Sequence, residues 1–278
     1  MRWRCGDRDF DLEVGPLVMG ILNVTPDSFS DGGRYFAPAA AVARGRQLVE
    51  EGAALLDLGG ESTRPGSAPV EPEEQWRRLG PVLEELARDS RAIISVDTAS
   101  AWVAERALEA GAMVVNDITA LRDPRMPEVV RNARAGLVLM HMRGTPADMQ
   151  RDPRYEDPAS EVAEWLAVRM RGAVAAGIAH DAIALDPGIG FGKTVAHNLR
   201  LLAGLDRLAA LDRPVVVGVS RKGFLGKLLD EAPVNRRLEG GLAAAAVAVF
   251  QGASVVRTHD VAATLQAVRL AAAIRSHS

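Results

Sequence analysis

Eight short apolar runs, each followed by a polar residue, constrain this chain more than any other feature. They are Leu17–Leu22, Leu55–Leu58, Ala92–Val96, Met113–Val115, Leu137–Met140, Ile183–Leu185, Val215–Val219 and Ser254–Val256. Rich in Val, Ile and Leu, with little alternation, they read as strands buried on both faces of a parallel sheet. Amphipathic stretches lie between them: Ala39–Glu51, Pro72–Arg88, Ala101–Ala110, the shorter Met126–Ala135, Glu161–Ala176, Ala196–Ala210, Arg236–Gln251 and Ala262–Ile274. The first carries Val42, Leu48 and Val49 on one side, as a surface helix does. Gly52, Gly111, Gly136, Gly177 and Gly252 fall between a helix and the next strand, where a glycine caps the helix and starts a tight turn.

Eight strand–helix units in 278 residues predict an α/β fold, a (β/α)8 TIM barrel. It is read as a single domain over residues 1–278, with its active site at the C-terminal ends of the strands. A doubly wound dinucleotide fold needs a glycine fingerprint after the first strand, but Asn23-Val24-Thr25-Pro26-Asp27 stands there instead.

The residues that follow the runs are polar in a coordinated way: Asn23, the segment Asp57–Gly66, Asp97, Asn116-Asp117, His141, Asp186, Ser220-Arg221-Lys222, and Arg257 with His259. One such residue alone reads equally well as a helix cap or turn former. As a set they divide by chemistry. Asp97, Asn116 and Asp186 offer short acceptors and one amide to the barrel mouth, which suits a flat, nitrogen-rich ring. Arg64, Arg221, Lys222, Arg257 and His259 are cationic or proton-donating, and the last two follow the eighth strand, where barrels hold phosphate. In so Arg-rich a chain, Arg64 or Arg221 taken alone reads as a surface salt bridge.

Lysine is scarce. Of 33 basic residues only Lys193, Lys222 and Lys227 are Lys, so those positions favour a compact ammonium over the default guanidinium. "GIGFGKT" (Gly188–Thr194) is not a phosphate-binding P-loop, because Pro187 stands where the first glycine belongs. Its glycines suit a tight turn and close approach of a ligand, with Phe191 as loop anchor or stacking face. No spacing of His, Cys or acidic residues marks a metal centre. A Mg²⁺ held chiefly by ligand phosphates needs only one or two protein oxygens, and Asn23 is able to supply one. A net charge of −3 gives no basis for nucleic-acid or anionic-membrane binding. No apolar run approaches the length of a membrane span, and no apolar leader follows the N-terminal "MRWRCGDRDF". The single cysteine, Cys5, fits a reducing cytoplasm and reads as incidental.

"MGILNVTPDSFSDGG", "LDLGGESTRPG", "SVDT", "VND", "LDPGIGFGKT", "VGVSRKGF" and "VRTHD", in this order and spacing, resemble the dihydropteroate synthase family from about Leu17 to Val261. The resemblance implies condensation of a hydroxymethyl-dihydropterin diphosphate with para-aminobenzoate, giving dihydropteroate and pyrophosphate for folate synthesis. It implies that Asp97, Asn116, Asp186 and Lys222 hold the pterin, and that Asn23, through Mg²⁺, holds the diphosphate with Arg257 and His259. Thr63, Arg64, Pro65, Phe191 and Lys222 would border the aminobenzoate, and Phe29 and Asp31 would close over it from a lid spanning Thr25–Gly33. Asp97, Lys222, Asp31 and Arg257 are the expected catalytic residues. The family's barrels are typically homodimers, to which Leu242–Phe250 is able to contribute, although burial against the barrel is the simpler use of that stretch. Many members carry Ser or another residue where Gly223 follows "SRK"; if a hydroxyl there contacts the aminobenzoate carboxylate, that contact must come here from backbone N–H at the following helix or from a side chain elsewhere. Two other classes compete. A methyltransferase-type pterin barrel would not need the STRPG, SRK or Arg257/His259 features, and a non-catalytic pterin binder would keep the pocket alone.

Overall fold

A computed structural model describes residues 1–25, 38–62, 67–88, 91 and 93–277. An antiparallel hairpin, β1 (Arg2–Cys5) and β2 (Arg8–Asp11), opens the chain. Eight parallel strands follow: β3 (Leu17–Asn23), β4 (Leu55–Gly59), β5 (Ile93–Asp97), β6 (Val114–Asp117), β7 (Gly136–Met140), β8 (Ile183–Asp186), β9 (Val216–Gly218) and β10 (Val255–Thr258). Their order is β8-β7-β6-β5-β4-β3-β10-β9. A parallel bridge between Leu185 and Val215 joins the two ends, so the sheet closes into the expected barrel.

The connecting helices are α1 (Pro38–Glu50), α2 (Pro72–Ala87), α3 (Ala101–Glu109), α4 (Met126–Ala133), α5 (Pro158–Ala175), α6 (Val195–Ala203), α7 (Asp206–Ala209), α8 (Gly223–Leu228), α9 (Leu238–Phe250) and α10 (Val261–Arg275). Side-chain caps fix several starts. Ser100 accepts from Val103 N, and Asp157 caps α5 three residues earlier than the periodicity suggests. Thr194 and His197 form a reciprocal capping box on α6. The stretch Ala196–Ala210 is two helices, α6 and α7, interrupted at Gly204-Leu205. The short α8 was not anticipated from the sequence. No helix of the described residues is long and apolar enough to cross a membrane.

Gly52, Gly111, Gly177 and Gly252 take the left-handed conformation expected after a helix. Gly136 does not. Arg134 takes that conformation instead, and Gly136 opens β7, where a Cβ would come within 2.9 Å of Cys5 Sγ. Cys5 therefore has a packing role. With Trp3 it plugs the N-terminal end of the barrel against Met19, Leu55, Ile93, Val114, Val138, Ala184, Val216 and Val255, one residue from each strand. Trp3 donates from Nε1 to the Ala182 carbonyl at 3.0 Å. Burial pushes the Cys5 thiol far above its ordinary range, so it is unreactive.

Candidate active site

The plug defines the lumen above it. Side chains alternate faces along a strand, so two residues beyond each plug contact comes the next inward position. That layer is Ile21, Asp57, Ser95, Asn116, Met140, Asp186, Gly218 and Arg257. A further step of two gives Asn23, Gly59, Asp97, Ile118, Met142, Gly188, Ser220 and His259, at the mouth. The sheet register places Asn23, Gly59, Asp97 and Asn116 side by side on four adjacent strands. A Cβ on Gly59 would sit 3.8 Å from both Asn23 Oδ1 and Asp97 Oδ2, so glycine keeps this part of the mouth open.

Arg257 organises the lumen. Its Nε donates to Asp57 Oδ2 at 2.5 Å and its Nη2 to Asp97 Oδ2 at 2.7 Å. Asp57 is fully buried and also accepts from Ser95 Oγ at 2.6 Å and Asn116 Nδ2 at 3.0 Å. Burial alone would disfavour the Arg257 cation, but Asp57 and Asp97 outweigh it and hold the guanidinium above the arginine range. Burial pushes the Asp97 carboxyl up to about 7; Arg257 opposes the shift and the Asp57 charge adds to it. Burial also raises Asp186, although its Oδ1 accepts from Gly188 N at 2.7 Å.

The orientation of Asn116 is then forced. Its Nδ2 is committed to Asp57, so its Oδ1 points elsewhere; that oxygen is buried without a hydrogen-bond partner among the described residues. A buried orphan acceptor beside two carboxyls of raised pKa is costly unless a ligand supplies N–H donors.

The cationic wall comes from the last strands. Lys222, half-buried, caps α8, and its Nζ stands 4.2 Å from the Phe191 ring centroid. Its stem crosses Gly190, where a Cβ would come within 3.2 Å of Lys222 Cδ. Burial, and secondarily Arg257, pull the Lys222 ammonium down to about 8. Phe191 is both anchor and face: it is packed with Ile118, Met140, Met142 and Met149, and it carries the Lys222 cation. Ser220 Oγ lies 3.0 Å from His259 Nδ1 and accepts the His259 backbone N–H. With the hydroxyl donating to Nδ1, the neutral ring carries its proton on Nε2, a donor for an anionic oxygen. Arg221 turns away to pair with Asp260 at 2.7 Å, the surface salt bridge its context suggested.

The structure thus brings Asn23, Asp97, Asn116, Asp186, Phe191, Lys222, Arg257 and His259 to one end of the barrel. Phe29 and Asp31, and Thr63, Arg64 and Pro65, lie outside the described residues, as does the proposed lid beyond Thr25. His141 is not in the lumen: it is buried behind β7, with Nδ1 3.0 Å from Lys193 Nζ. Asp117 also faces away, accepting from Thr119 N and Leu121 N to shape the turn after β6. Two contributors had no assigned role in the sequence reading. Asp57 is mid-strand, and the period-2 count from Leu55 finds it. Gln75, on α2, donates to Glu61 at 3.0 Å and accepts from Thr98 at 3.1 Å, tying the turn after β4 to the end of β5.

A closed barrel whose lumen joins amide and carboxyl acceptors to a cationic rim defines the class of pterin-binding enzymes, and that family's sequence profile matches residues 19–259. Dihydropteroate synthase of Neisseria meningitidis serogroup C is 46% identical over 271 residues, covering 96% of this chain and 95% of that protein. Two Xanthomonas albilineans dihydropteroate synthase structures superpose closely. The one with 4-aminobenzoic acid has a TM-score of 0.92 and 45% identity, covering 99% of this chain and 98% of that one. The complex with 7,8-dihydropteroate has a TM-score of 0.89 and 42% identity, covering 99% of each. The chain belongs to the dihydropteroate synthase family, and its activity is that of a transferase.

Proposed function

We propose that the lumen holds the dihydropterin ring and the rim holds its diphosphate while para-aminobenzoate attacks the bridging methylene carbon. The observation that carries this reading is Asn116 Oδ1, buried without a hydrogen-bond partner among the described residues, in a lumen that also holds Asp97 and Asp186. An amino-substituted pterin presents N–H donors to such acceptors, and Lys222 offers a donor to its ring acceptors. The albilineans structures with 4-aminobenzoic acid and with 7,8-dihydropteroate support a site for both partners.

The chemistry asks little of a base. An aromatic amine is neutral at physiological pH and attacks without prior deprotonation. The barrier lies in departure of the diphosphate, so groups that stabilise its growing charge supply the main acceleration. Arg257 contributes from the lumen side, where Nε and Nη2 are held by carboxylates and Nη1, without a hydrogen bond among the described residues, is left for a ligand. The imidazole N–H of His259 contributes from the rim. The dihydropterin stabilises a cationic methylene, which favours a dissociative substitution with C–O cleavage ahead of C–N bond formation. The ionised Asp97 then offsets the positive charge on the ring, and Asp31 is assigned the same role from the first loop. Thr63, Arg64, Pro65 and Phe29 complete the aminobenzoate side in this reading.

A Mg²⁺ ion fits the residues present only in a restricted way. Among the described residues no group of three His, Cys, Asp or Glu side chains is placed to hold a metal. Asn23 ends β3 at the mouth beside Gly59 and Asp97, a single neutral oxygen donor. Such a site suits a Mg²⁺ whose other ligands are diphosphate oxygens and water. Bound there, the ion would neutralise leaving-group charge.

The reading extends to a homodimer. Val247 and Phe250 on α9, and Leu270 and Ile274 on α10, are between 43% and 64% exposed, and these helices pack side by side. An apolar surface spanning two neighbouring helices suits a second copy of the chain. Pyrophosphate release from the pterin diphosphate, measured with and without para-aminobenzoate and Mg²⁺, tests the function. Aminobenzoate-dependent, Mg²⁺-dependent turnover is expected, and turnover indifferent to either addition refutes the corresponding assignment.

A further inference from the structure

The least expected group near the site is a second buried lysine. Lys193 is 3% exposed, yet its Nζ sits 3.0 Å from three acceptors: His141 Nδ1, Gly188 O and Phe191 O. An ammonium has one N–H donor for each of these acceptors, with His141 neutral and accepting at Nδ1. The surroundings agree about His141: burial, then the Lys193 and Arg143 charges, bring its pKa down to about 2. Burial draws the Lys193 pKa down to about 7, while Asp186 pulls it back up.

The stapled segment is one that holds its shape poorly by itself. Gly188, Gly190 and Gly192 all have positive φ, at 66°, 84° and 58°. A Cβ on Gly188 would collide with the His141 carbonyl oxygen, so the turn is pressed against the end of β7. On its other side Gly190 N donates to Asn198 Oδ1 at 2.7 Å, and Gln150 Nε2 donates to Gly190 O at 2.8 Å. Phe191, held by its carbonyl to Lys193, presents its ring to Lys222.

We propose that Lys193 is a positioning residue for the aromatic-amine subsite: its three donors staple the Gly188–Gly192 turn to His141 and so fix the Phe191 ring against Lys222. The presence of lysine at this position in an Arg-rich chain has the same explanation. A guanidinium is too large and too planar to sit within a three-acceptor cage. The proposal rests on the reading that Phe191 borders the aminobenzoate.

Steady-state kinetics with both substrates varied separates these two ideas. Lys193→Met keeps the length and removes the donors. It is expected to raise KM for para-aminobenzoate at least about tenfold, the loss expected for charge-assisted hydrogen bonds, with KM for the pterin diphosphate changed much less. In Lys193→Ala, added propylammonium should recover part of the lost aminobenzoate affinity and 1-propanol, of similar volume but with one donor, much less; equal recovery by both would indicate space-filling alone. His141→Asn retains an acceptor near Nδ1 and should raise that KM less than His141→Leu. Should Lys193→Met fail to fold, the propylammonium and His141 comparisons decide. An unchanged aminobenzoate KM in Lys193→Met, equal rises for both substrates, or no propylammonium rescue each overturns the proposal. Phe191→Leu serves as reference. A raised aminobenzoate KM there, beside an unaffected Lys193→Met, overturns the positioning role alone. No change in either variant overturns the placement of Phe191 as well.

Discussion

Replacing Asp57 tests the electrostatic core of the site without touching a group at its rim. Two substitutions separate its charge from its shape. In Asp57→Asn the amide oxygen takes the place of Oδ2 and still accepts from Arg257 Nε and Asn116 Nδ2. The amide nitrogen then faces Ser95 Oγ, which reverses its role and accepts. All three contacts survive and one charge is lost, at a cost of about 1–2 kcal/mol. In Asp57→Ala all three disappear. Arg257 is left with Asp97 as its carboxylate among the described residues, and the Asn116 amide N–H and Ser95 hydroxyl are buried without that acceptor. Removing one partner of a buried ion pair costs about 3–5 kcal/mol. At about 2–4 °C per kcal/mol for a domain of this size, Asp57→Ala should melt about 6–20 °C lower and Asp57→Asn only about 2–8 °C lower. Thermal unfolding followed by circular dichroism at pH 7.5 reads both. Kinetics add an independent check. The Asp57 charge helps raise the Asp97 pKa, so the acid limb of kcat/KM for the pterin diphosphate should move to lower pH in Asp57→Asn. Equal melting losses in the two variants, or an Asp57→Ala loss under about 1 kcal/mol, would refute the view that Asp57 holds Arg257 in place.

In the unmodified enzyme, kcat/KM should be bell-shaped with pH, because it reports ionisations of the free enzyme. Activity rises as Asp97 ionises through about 7 and falls as Lys222 loses its proton through about 8; a plateau from pH 5 to 10 would contradict both roles. Lys222→Arg should cut kcat/KM at least about tenfold, since a planar guanidinium cannot replace a compact ammonium packed along Gly190 and the Phe191 ring; near-normal kinetics would undo that reading. Gly188→Ala should lower stability by more than about 2 kcal/mol and distort the Phe191 turn, because its left-handed φ and the adjacent His141 carbonyl both exclude a methyl group; normal melting would show that the turn relocates. Phe250→Asp should shift the sedimenting species from dimer to monomer while leaving the fold intact, and an unchanged mass would place any interface elsewhere.

Which parts of this protein its sequence determines by itself follows from the range of the interactions. Eight apolar runs and the helices between them are local patterns, set by side-chain periodicity and burial. They sufficed for the barrel, and they mark Asn23, Asp97, Asn116, Asp186, Lys222, Arg257 and His259 as candidates because the C-terminal ends of the strands gather at one opening. Helix ends shifted by one to three residues where a cap, such as Asp157 or Arg134, decided the boundary. The hairpin carrying Trp3 and Cys5 escaped notice because its strands, RWRC and RDFD, are rich in charged residues and form no apolar run; the burial of Trp3 and Cys5 comes from the barrel floor.

Tertiary structure decided which polar residues act together. Asp57 and Arg257 are 200 residues apart, and Asp97 and Arg257 are 160 apart. The alternation in "LDLGG" assigns Asp57 to the lumen only once Leu55 is known to face the barrel floor. Closure of the barrel places Asp57 one layer below the mouth, where desolvation makes its pairing with Arg257 strong and leaves Asn116 Oδ1 without a partner among the described residues. His141 shows the converse. It follows an apolar run as the site residues do, yet the turn after β8 draws its ring toward Lys193 and away from the lumen. Residue types set the available chemistry. Low-dielectric contacts between distant segments determine which of those groups are charged, which are paired and which are left open to a substrate.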